Sequence, residues 1–355
     1  MILRKPFDDN LDAQMKIVYT DLHKRHATDH TLFEGHPYSV EEVPARAEVL
    51  LSAIREAQIG TLLTPADHGI DPILRVHTKD YVTFLSSIYE AYTALYPQET
   101  AVFPGTFATR YTGQKPKAML GLLGYYASGW GSPILEGTWE AAYWSAQCSL
   151  SAADEVLKGG QTVYALTRPP GHHASIDLYG GFCYLNNAAI TTRHLQHTQQ
   201  GTKVAILDID FHHGNGTQMI FYTDPSVLYC SLHADPNYDY PYYWGFADER
   251  GMEEGEGLNC NWPLPRETSN AEYLRILDEA LKGIHAYDPH FLVVSLGIDI
   301  LEDDPVGGFL LSVEGLREIA KQVAGLGLPT VLVQEGGYCL DRLGDGIIAF
   351  LDAFM

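Results

Sequence analysis

Two aspartates and a histidine at alternate positions are the residues of this chain best placed to do chemistry. An apolar, β-branched run at residues 204–207 is followed directly by Asp208, and then by Asp210 and His212, within the segment KVAILDIDFHHGNG. In extended backbone, side chains two residues apart share a face, so these three would meet where a strand ends. Carboxylates and imidazoles are ligands of zinc. The spacing favours a metal site over the alternative, a polar turn with solvated acids.

Three other predicted strands also end in residues that can bind a metal or move a proton. They are His172 and His173 in RPPGHH after a strand at 162–167, Asp299 in GID after a strand at 291–296, and Tyr338 in EGGY after a strand at 330–334. Ligands of open α/β sheets bind at the carboxyl ends of the strands, so we expect these side chains to converge. The alternative is that the paired histidines and the tyrosine are packing residues.

Together these residues would form a catalytic zinc site. Asp210, His212 and Asp299 would leave a fourth zinc position free. Zinc brings the pKa of a bound water to about 7, and a nearby imidazole can serve as general base and then as general acid. Tyr338 could stabilise the oxyanion of a tetrahedral intermediate. This set predicts hydrolysis of an amide or an ester.

The elements that must position these residues alternate between strand and helix along most of the chain. Such alternation is typical of an α/β fold in which helices cover both faces of a parallel sheet. Ser269 and Glu272 predict a capping box, and Thr138 is expected to cap a helix that ends at residue 158. Further strands are predicted at 16–20, 204–210 and 226–232, and further helices at 44–60, 187–199, 269–286 and 313–324.

One domain is predicted at residues 15–355, after an N-terminal extension at 1–14, because the chain shows no linker or internal repeat. The segment 21–43 is long for a connection and has no clear period. Its histidines, at positions 23, 26, 30 and 36, are therefore expected at the surface.

Composition limits the class of protein and its partners. The 355 residues include 45 acidic and 23 basic side chains, and the net charge of −22 argues against a nucleic-acid partner and favours small cationic ligands. Solubility, or a salty habitat, is the alternative explanation of this charge. The five cysteines are scattered, which is typical of free thiols in a reducing cytoplasm. No apolar stretch is long enough to span a membrane, and the N-terminus lacks an apolar signal core, so we expect a cytoplasmic protein.

The motifs RPPGHH, GGFCYLNNAA, DIDFHHGNG, SLGID and EGGY occur in the order found in a known family. The chain from Met15 onward resembles the zinc-dependent histone deacetylase and acetylpolyamine amidohydrolase family, which has the arginase/deacetylase fold. Within that family it most resembles bacterial acetylpolyamine amidohydrolases, through GTWEAA, NGTQ and SLHADP and through the long early segment.

The resemblance implies a role for each matching residue. His173 would be the general base and acid, and His172 an electrostatic partner. The other implied roles are Tyr338 as oxyanion donor; Asp210, His212 and Asp299 as zinc ligands; Asp208 and Asn215 as partners of the two histidines; Gly181, Phe182 and Tyr240 as substrate-tunnel walls; and Asp208, Asp210, His212, Ser231 and Leu232 around a structural potassium ion. Because Asn215 is a neutral amide, we expect His173 to be less basic than it would be beside a carboxylate.

The resemblance also implies a substrate and an assembly. The expected reaction removes acetyl from linear amides such as acetylputrescine or acetylcadaverine, and the long early segment predicts a homodimer. The glutamates that line the tunnel mouth in similar enzymes are replaced by Thr31, Leu120 and Gly131, and Glu34 could substitute for them. An acetyl-lysine deacetylase is therefore the alternative enzyme. A dimanganese arginase would need an acid at the position of Gly214, which argues against that class of enzyme. The intact catalytic set argues against a non-enzymatic binding protein.

Overall fold

The computed structural model describes residues 15–28, 31–33, 36–108 and 114–355, and an eight-stranded parallel sheet forms its centre. The strands are β1 (Lys16–Val18), β2 (Thr31–Phe33), β3 (His36–Tyr38), β4 (Thr61–Leu63), β5 (Thr162–Ala165), β6 (Val204–Asp208), β7 (Val227–Ala234), β8 (Asn259–Leu264), β9 (Phe291–Leu296) and β10 (Thr330–Gln334). The helices are α1 (Ala45–Glu56), α2 (Asp71–Leu74), α3 (Lys79–Thr93), α4 (Met119–Tyr125), α5 (Thr138–Leu157), α6 (Asn187–Thr198), α7 (Asn215–Phe221), α8 (Asn270–Tyr287), α9 (Val313–Ala324) and α10 (Leu340–Leu351). The prediction of a parallel α/β fold is confirmed.

Sheet order explains how distant segments form one site. The strands lie in the order β4-β1-β5-β10-β9-β6-β7-β8, and each neighbouring pair is parallel. The four strands expected to carry chemistry, β5, β10, β9 and β6, are therefore consecutive. Their carboxyl ends meet at one edge of the sheet, although the segments are far apart in sequence.

Alternate residues of the strands fill two apolar cores, one on each face of the sheet. In β6, Ala205 and Leu207 pack in one core, and Val204 and Ile206 pack in the other. Helices α1, α8, α9 and α10 contribute to the first core, and α3, α5 and α6 contribute to the second. Burial on both faces explains why the central strands are continuously apolar in sequence.

Strand β6, which begins the segment KVAILDIDFHHGNG, ends earlier than expected. The sequence predicted a strand through Asp210, but β6 ends at Asp208. The Oδ1 of Asp208 accepts a hydrogen bond from the backbone N–H of Asp210 at 3.2 Å. This local bond competes with the sheet ladder and turns the chain, so Asp210 and His212 lie in the loop after the strand.

The prediction that the early histidines lie at the surface is wrong for two of them. Residues 21–25 form a 3₁₀ helix in which His23 is buried, and His26 is buried directly after it. The His26 Nδ1 lies 2.9 Å from Oγ1 of Thr138, and the His23 Nε2 lies 3.0 Å from the hydroxyl of Tyr19. His36 is exposed, and residue 30 lies outside the described residues.

Helix boundaries follow the predicted signals closely, with two exceptions. The helix predicted to end at residue 60 ends at Glu56, and Gln58 then has a left-handed φ of +55°. The capping box of Ser269 and Glu272 is confirmed at the start of α8. The expected cap by Thr138 is wrong, because Gly137 is the N-cap of α5 and the Thr138 hydroxyl accepts a bond from the N–H of Leu135 at 2.7 Å. Within the described ranges, no helix combines the length and the apolarity needed to cross a bilayer.

Candidate active site

The three predicted metal ligands lie together at the carboxyl edge of the sheet. Asp210, His212 and Asp299 each place one donor atom within 4.8 Å of the other two. The His212 Nδ1 is 3.2 Å from Oδ1 of Asp210 and 3.2 Å from Oδ2 of Asp299. Burial and the nearby charge of Asp210 raise the pKa of the Asp299 carboxyl to about 7. Two buried carboxylates and an imidazole at this spacing fit a divalent metal, whose charge would offset theirs.

Backbone N–H groups orient both carboxylates. Gly336 donates its N–H to Oδ2 of Asp210 at 2.8 Å, and Phe211 donates its N–H to Oδ1 of Asp299 at 3.0 Å. A Cβ on Gly336 would lie 2.3 Å from Oδ2 of Asp299. The first glycine of EGGY is therefore required for the backbone to approach the two acids.

The two adjacent histidines have different partners. The His172 Nδ1 lies 3.1 Å from Oδ2 of Asp208, and the His173 Nδ1 lies 2.8 Å from Oδ1 of Asn215. An amide oxygen only accepts hydrogen bonds, so the Nδ1 of His173 carries the proton. Its Nε2 is then the atom that can accept one.

The surroundings of these histidines give them different charges. Burial opposes protonation of His172, but the carboxylates of Asp210 and Asp208 outweigh it and raise the pKa of this imidazole to about 10. Burial and the positive charges of His172 and His212 hold the pKa of His173 well below its ordinary value. The site thus contains a neutral imidazole, able to accept a proton, beside a cationic one.

Tyr338 follows the end of β10 and lies next to Phe182. The ring centroids of Tyr338 and Phe182 are 5.8 Å apart, and the guanidinium carbon of Arg46 is 4.4 Å from the Tyr338 ring centroid. Burial raises the pKa of the Tyr338 phenol well above its ordinary value, although the charge of Arg46 opposes this. The phenol therefore keeps its proton and can donate a hydrogen bond.

The three predicted tunnel-wall residues also lie around the paired histidines. The ring centroids of Tyr240 and His173 are 4.8 Å apart. A Cβ on Gly181 would lie 2.3 Å from Cδ2 of His173, and the φ of Gly181 is +54°. Phe182 also has a left-handed φ of +66°, held by the bond from its N–H to Oγ of Ser132 at 2.8 Å. A strained backbone at a non-glycine residue is typical of functional sites.

Three of the residues predicted around potassium, Asp208, Ser231 and Leu232, are neighbours on two strands, and Asp210 and His212 lie in the loop after β6. Ser231 pairs in register with Asp208, and Leu232 follows it in β7. All three are buried, and Oγ of Ser231 lies 2.8 Å from Nδ1 of His233. Potassium binding at this place stays a prediction.

Comparison with known proteins assigns the chain to a family. The Histone deacetylase domain family matches residues 40–354. Acetylpolyamine amidohydrolase 1 of Pseudomonas aeruginosa is 40% identical over 96% of this chain and 99% of its own length, and the Mycoplana ramosa acetylpolyamine amidohydrolase is 36% identical over 93% and 96%. The crystal structure of the Burkholderia pseudomallei acetylpolyamine aminohydrolase matches with a TM-score of 0.91 and 37% identity over 96% of this chain and 98% of that one. The chain belongs to the histone deacetylase family.

The predicted resemblance is thereby confirmed, as is the prediction of a hydrolytic enzyme of the deacetylase class.

This histone deacetylase family member also contains buried charged residues that the sequence reasoning missed. Arg168 donates from Nε to Oε1 of Glu42 at 2.7 Å, and Arg46 donates from Nη1 to the same oxygen at 2.9 Å. Arg46 also donates to the backbone oxygens of Glu335 and Gly337, next to Tyr338.

Glu335 is a second missed residue of the deacetylase-family site, although it begins the EGGY motif. Its Oε2 accepts the N–H of Gly171 at 2.6 Å and the N–H of His172 at 3.2 Å. Burial raises the pKa of this carboxyl to about 7, although the charge of His172 opposes the shift. Glu335 therefore ties the loop of the paired histidines to the loop of Tyr338. The signal that could have identified Glu335 from the sequence is its position as an acidic residue directly after an apolar strand.

Proposed function

We propose that this chain is a zinc-dependent amidohydrolase that removes acetyl groups from N-acetylated polyamines or diamines such as acetylputrescine and acetylcadaverine. The observation that carries the proposal is the convergence of Asp210, His212 and Asp299, with the His173 ring centroid 6.0 Å from that of His212 and with Tyr338 near the charges of both aspartates. The relatives that match almost the whole chain are named as acetylpolyamine amidohydrolases, which supports this substrate class.

The buried acids and His212 would hold the zinc ion. Bound there, Zn²⁺ would polarise the amide carbonyl and lower the pKa of a water molecule to about 7. The two aspartates supply two negative charges, which match the two positive charges of the ion. Potassium near Asp208, Ser231 and Leu232 is proposed as a separate structural ion.

His173 moves the proton in this mechanism. Its neutral Nε2 accepts a proton from the attacking water, and Asn215 keeps the other nitrogen protonated. The water oxygen bonds to the acyl carbon, and the same proton is then delivered to the nitrogen as the C–N bond breaks. The second proton of the water also passes to the amine, so the products are acetate and the amine in its ammonium form. His172, whose Nδ1 lies 3.1 Å from the carboxylate of Asp208, would stabilise the negative charge that develops.

Tyr338 stabilises the reacting oxygen. The phenol is protonated, and it lies close enough to Asp299 and Asp210 for their charges to raise its pKa further. A hydrogen bond from the phenol to the carbonyl oxygen becomes stronger as negative charge collects there. The residue therefore acts mainly on the rate of the chemical step.

The tunnel walls suit an extended, apolar acetamidoalkyl chain. Phe182 and Tyr240 supply aromatic surface, and Gly181 leaves room between His173 and Tyr240. The net charge of −22 favours the approach of a cationic polyamine. Glu34, which could bind the distal ammonium, lies outside the described residues.

An acetyl-lysine deacetylase is the second candidate, favoured by the residues at the expected tunnel mouth. Thr31, Leu120 and Gly131 carry no charge, and Leu120 is exposed. A homodimer that narrows the entrance would favour small polyamines, and we propose this assembly from the long segment at 21–43. Cytoplasmic localisation is proposed from the scattered cysteines, which are free thiols in the structure.

The deciding experiment compares rates of acetate release on zinc-loaded protein. The substrates are acetylputrescine, acetylcadaverine, acetylspermidine and an acetyl-lysine peptide, with kcat/KM measured for each. Our proposal expects the acetylated diamines or the polyamine to exceed the peptide by at least tenfold. A higher kcat/KM for the peptide would overturn the substrate assignment in favour of the second candidate.

The role of His173 has its own test. His173→Ala should abolish turnover of every substrate while zinc content, measured by mass spectrometry, stays unchanged. Retained turnover would refute the general-base assignment, whichever substrate is preferred. The matched control is His197→Gln, which changes an exposed histidine near the end of α6 and should leave the rate unchanged.

A further inference from the structure

A second cluster of metal-capable side chains lies on elements that carry none of the proposed active-site residues. His68 precedes α2, Asp154 lies in α5 and His194 lies in α6. Among the residues that the structure describes, this cluster and the active-site trio are the two groups whose donor atoms all lie within 4.8 Å of one another. The cluster therefore joins three separate segments on the periphery of the second apolar core.

The carboxylate of Asp154 bridges the two imidazoles, with one oxygen towards each. The His194 Nε2 is 2.7 Å from Oδ1 of Asp154, and the His68 Nε2 is 3.1 Å from Oδ2. Zinc bonds of the usual length place tetrahedral ligand atoms about 3.3 Å apart. The three donor atoms lie within 4.8 Å of one another, so side-chain rotations would bring them to coordination distance. The donors of the active-site trio have a similar spacing, 3.2 Å.

Hydrogen bonds fix the orientation and the proton of His68. Its Nδ1 lies 3.1 Å from the carbonyl oxygen of Ala66 and 3.2 Å from Oε1 of Gln147, and both of these atoms are acceptors. Gln147 is itself fixed, because its Oε1 accepts the N–H of His68 and its Nε2 donates to the carbonyl oxygen of Gly69. The Nδ1 of His68 must therefore carry a proton, as in histidines that bind metals through Nε2.

This arrangement places two electron-rich atoms against each other. With the proton of a neutral His68 on Nδ1, the lone pair of Nε2 points at Oδ2 of Asp154 across 3.1 Å. Only a positive centre between them, either a second proton or a metal cation, makes that contact favourable. We propose that a transition-metal dication binds here, held by His68, Asp154 and His194.

The donor set and the exposure of the site define the class of ion. Two imidazoles and one carboxylate suit zinc, cobalt or nickel, whereas magnesium and calcium prefer oxygen donors. The side chains of His68 and His194 are each 12% exposed and that of Asp154 is 36% exposed, so an ion can enter from solvent. The ion links the segment before α2 to α5 and α6, and it stabilises the folded state because the unfolded chain lacks the site.

The test counts zinc ions bound by the full-length protein. Metal-free protein is equilibrated with micromolar zinc, and bound metal is measured by mass spectrometry beside the melting temperature. Wild type should bind two zinc ions per chain, and Asp154→Asn, which keeps the shape of the side chain, should bind one. His68→Gln is a second variant with the same expectation. His197→Gln, one turn after His194 in α6, is the matched control and should bind two.

The melting temperature separates a specific site from loose surface binding. The second equivalent of zinc should raise it in wild type and in His197→Gln but not in Asp154→Asn. The proposal is overturned if wild type binds a single zinc ion, or if Asp154→Asn still binds two. A single zinc ion in wild type would mean that the positive centre between His68 and Asp154 is a second proton on His68. The acetate-release rate with one equivalent of zinc should be equal in all four proteins, so these outcomes do not depend on the proposed function.

Discussion

Replacing Glu42 by Gln should destabilise the protein severely, because this carboxylate separates two buried cations. Its Oε1 accepts bonds from Arg168 at 2.7 Å and from Arg46 at 2.9 Å, and its Oε2 accepts a second bond from Arg168 at 3.0 Å. Burial disfavours the charge of Glu42, but the two guanidinium groups outweigh it and hold the pKa of this carboxyl below its ordinary value. The three side chains are almost fully buried.

The magnitude follows from the loss of one partner in a buried ion pair. Removing a single partner leaves an uncompensated buried charge and typically costs about 3–5 kcal/mol. Glu42→Gln keeps the size of the side chain, so the free energy of unfolding should fall by this amount without a cavity. With a urea m-value of about 3 kcal/mol per molar, the unfolding midpoint should fall by about 1 M or more.

The assay is equilibrium unfolding in urea, followed by circular dichroism and by tryptophan fluorescence. Glu279→Gln is the control, because it removes the same charge from an exposed pair with Arg275 in α8 and should lower the midpoint only slightly. A midpoint for Glu42→Gln that matches the control would refute the conclusion that Glu42 holds the two arginines. The rate of acetate release should also fall, because Arg46 contacts the EGGY loop and the Tyr338 ring.

Three further predictions follow from individual contacts. Tyr338→Phe should lower kcat by roughly 10²–10³-fold with unchanged zinc content, and a kcat near the wild-type value would remove the phenol from the mechanism. Gly181→Ala should lower kcat/KM because its Cβ would meet His173 and Tyr240, whereas Gly105→Ala, where nothing lies within 4 Å, should not change it. Burial lowers the pKa of His77 to about 4, and the N–H of Asn186 donates to its Nε2 at 2.9 Å, so the folded state requires a neutral ring. In the unfolded chain His77 binds a proton near pH 6.5, so the contribution of His77 to stability is complete above that pH and falls by about 3 kcal/mol towards pH 4. The unfolding midpoints of wild type and His77→Gln should therefore change with pH at different slopes across this range, and parallel curves would contradict the assignment.

Local sequence patterns predicted the main elements because those elements depend on nearby residues. The apolar runs at Phe291–Leu296 and Thr330–Gln334 form strands with the predicted bounds, and Val313–Ala324 forms the predicted helix. Strand β8 was missed, because its residues, NCNWPL, lack the continuous apolar run of the central strands and include a proline. It forms the edge of the sheet beside β7, where a proline is tolerated.

The sequence alone determined which residue types follow each strand, and hence the chemistry available to the protein. Only the tertiary structure decided which of them meet, because that depends on the order of β5, β10, β9 and β6 in the sheet. The tertiary structure also decided which charged residues are buried. Glu42 and Arg168 are 126 positions apart and are charged, so no local pattern predicts that they are enclosed together. Their burial is possible only because each supplies the opposite charge and hydrogen bonds that the other loses from water.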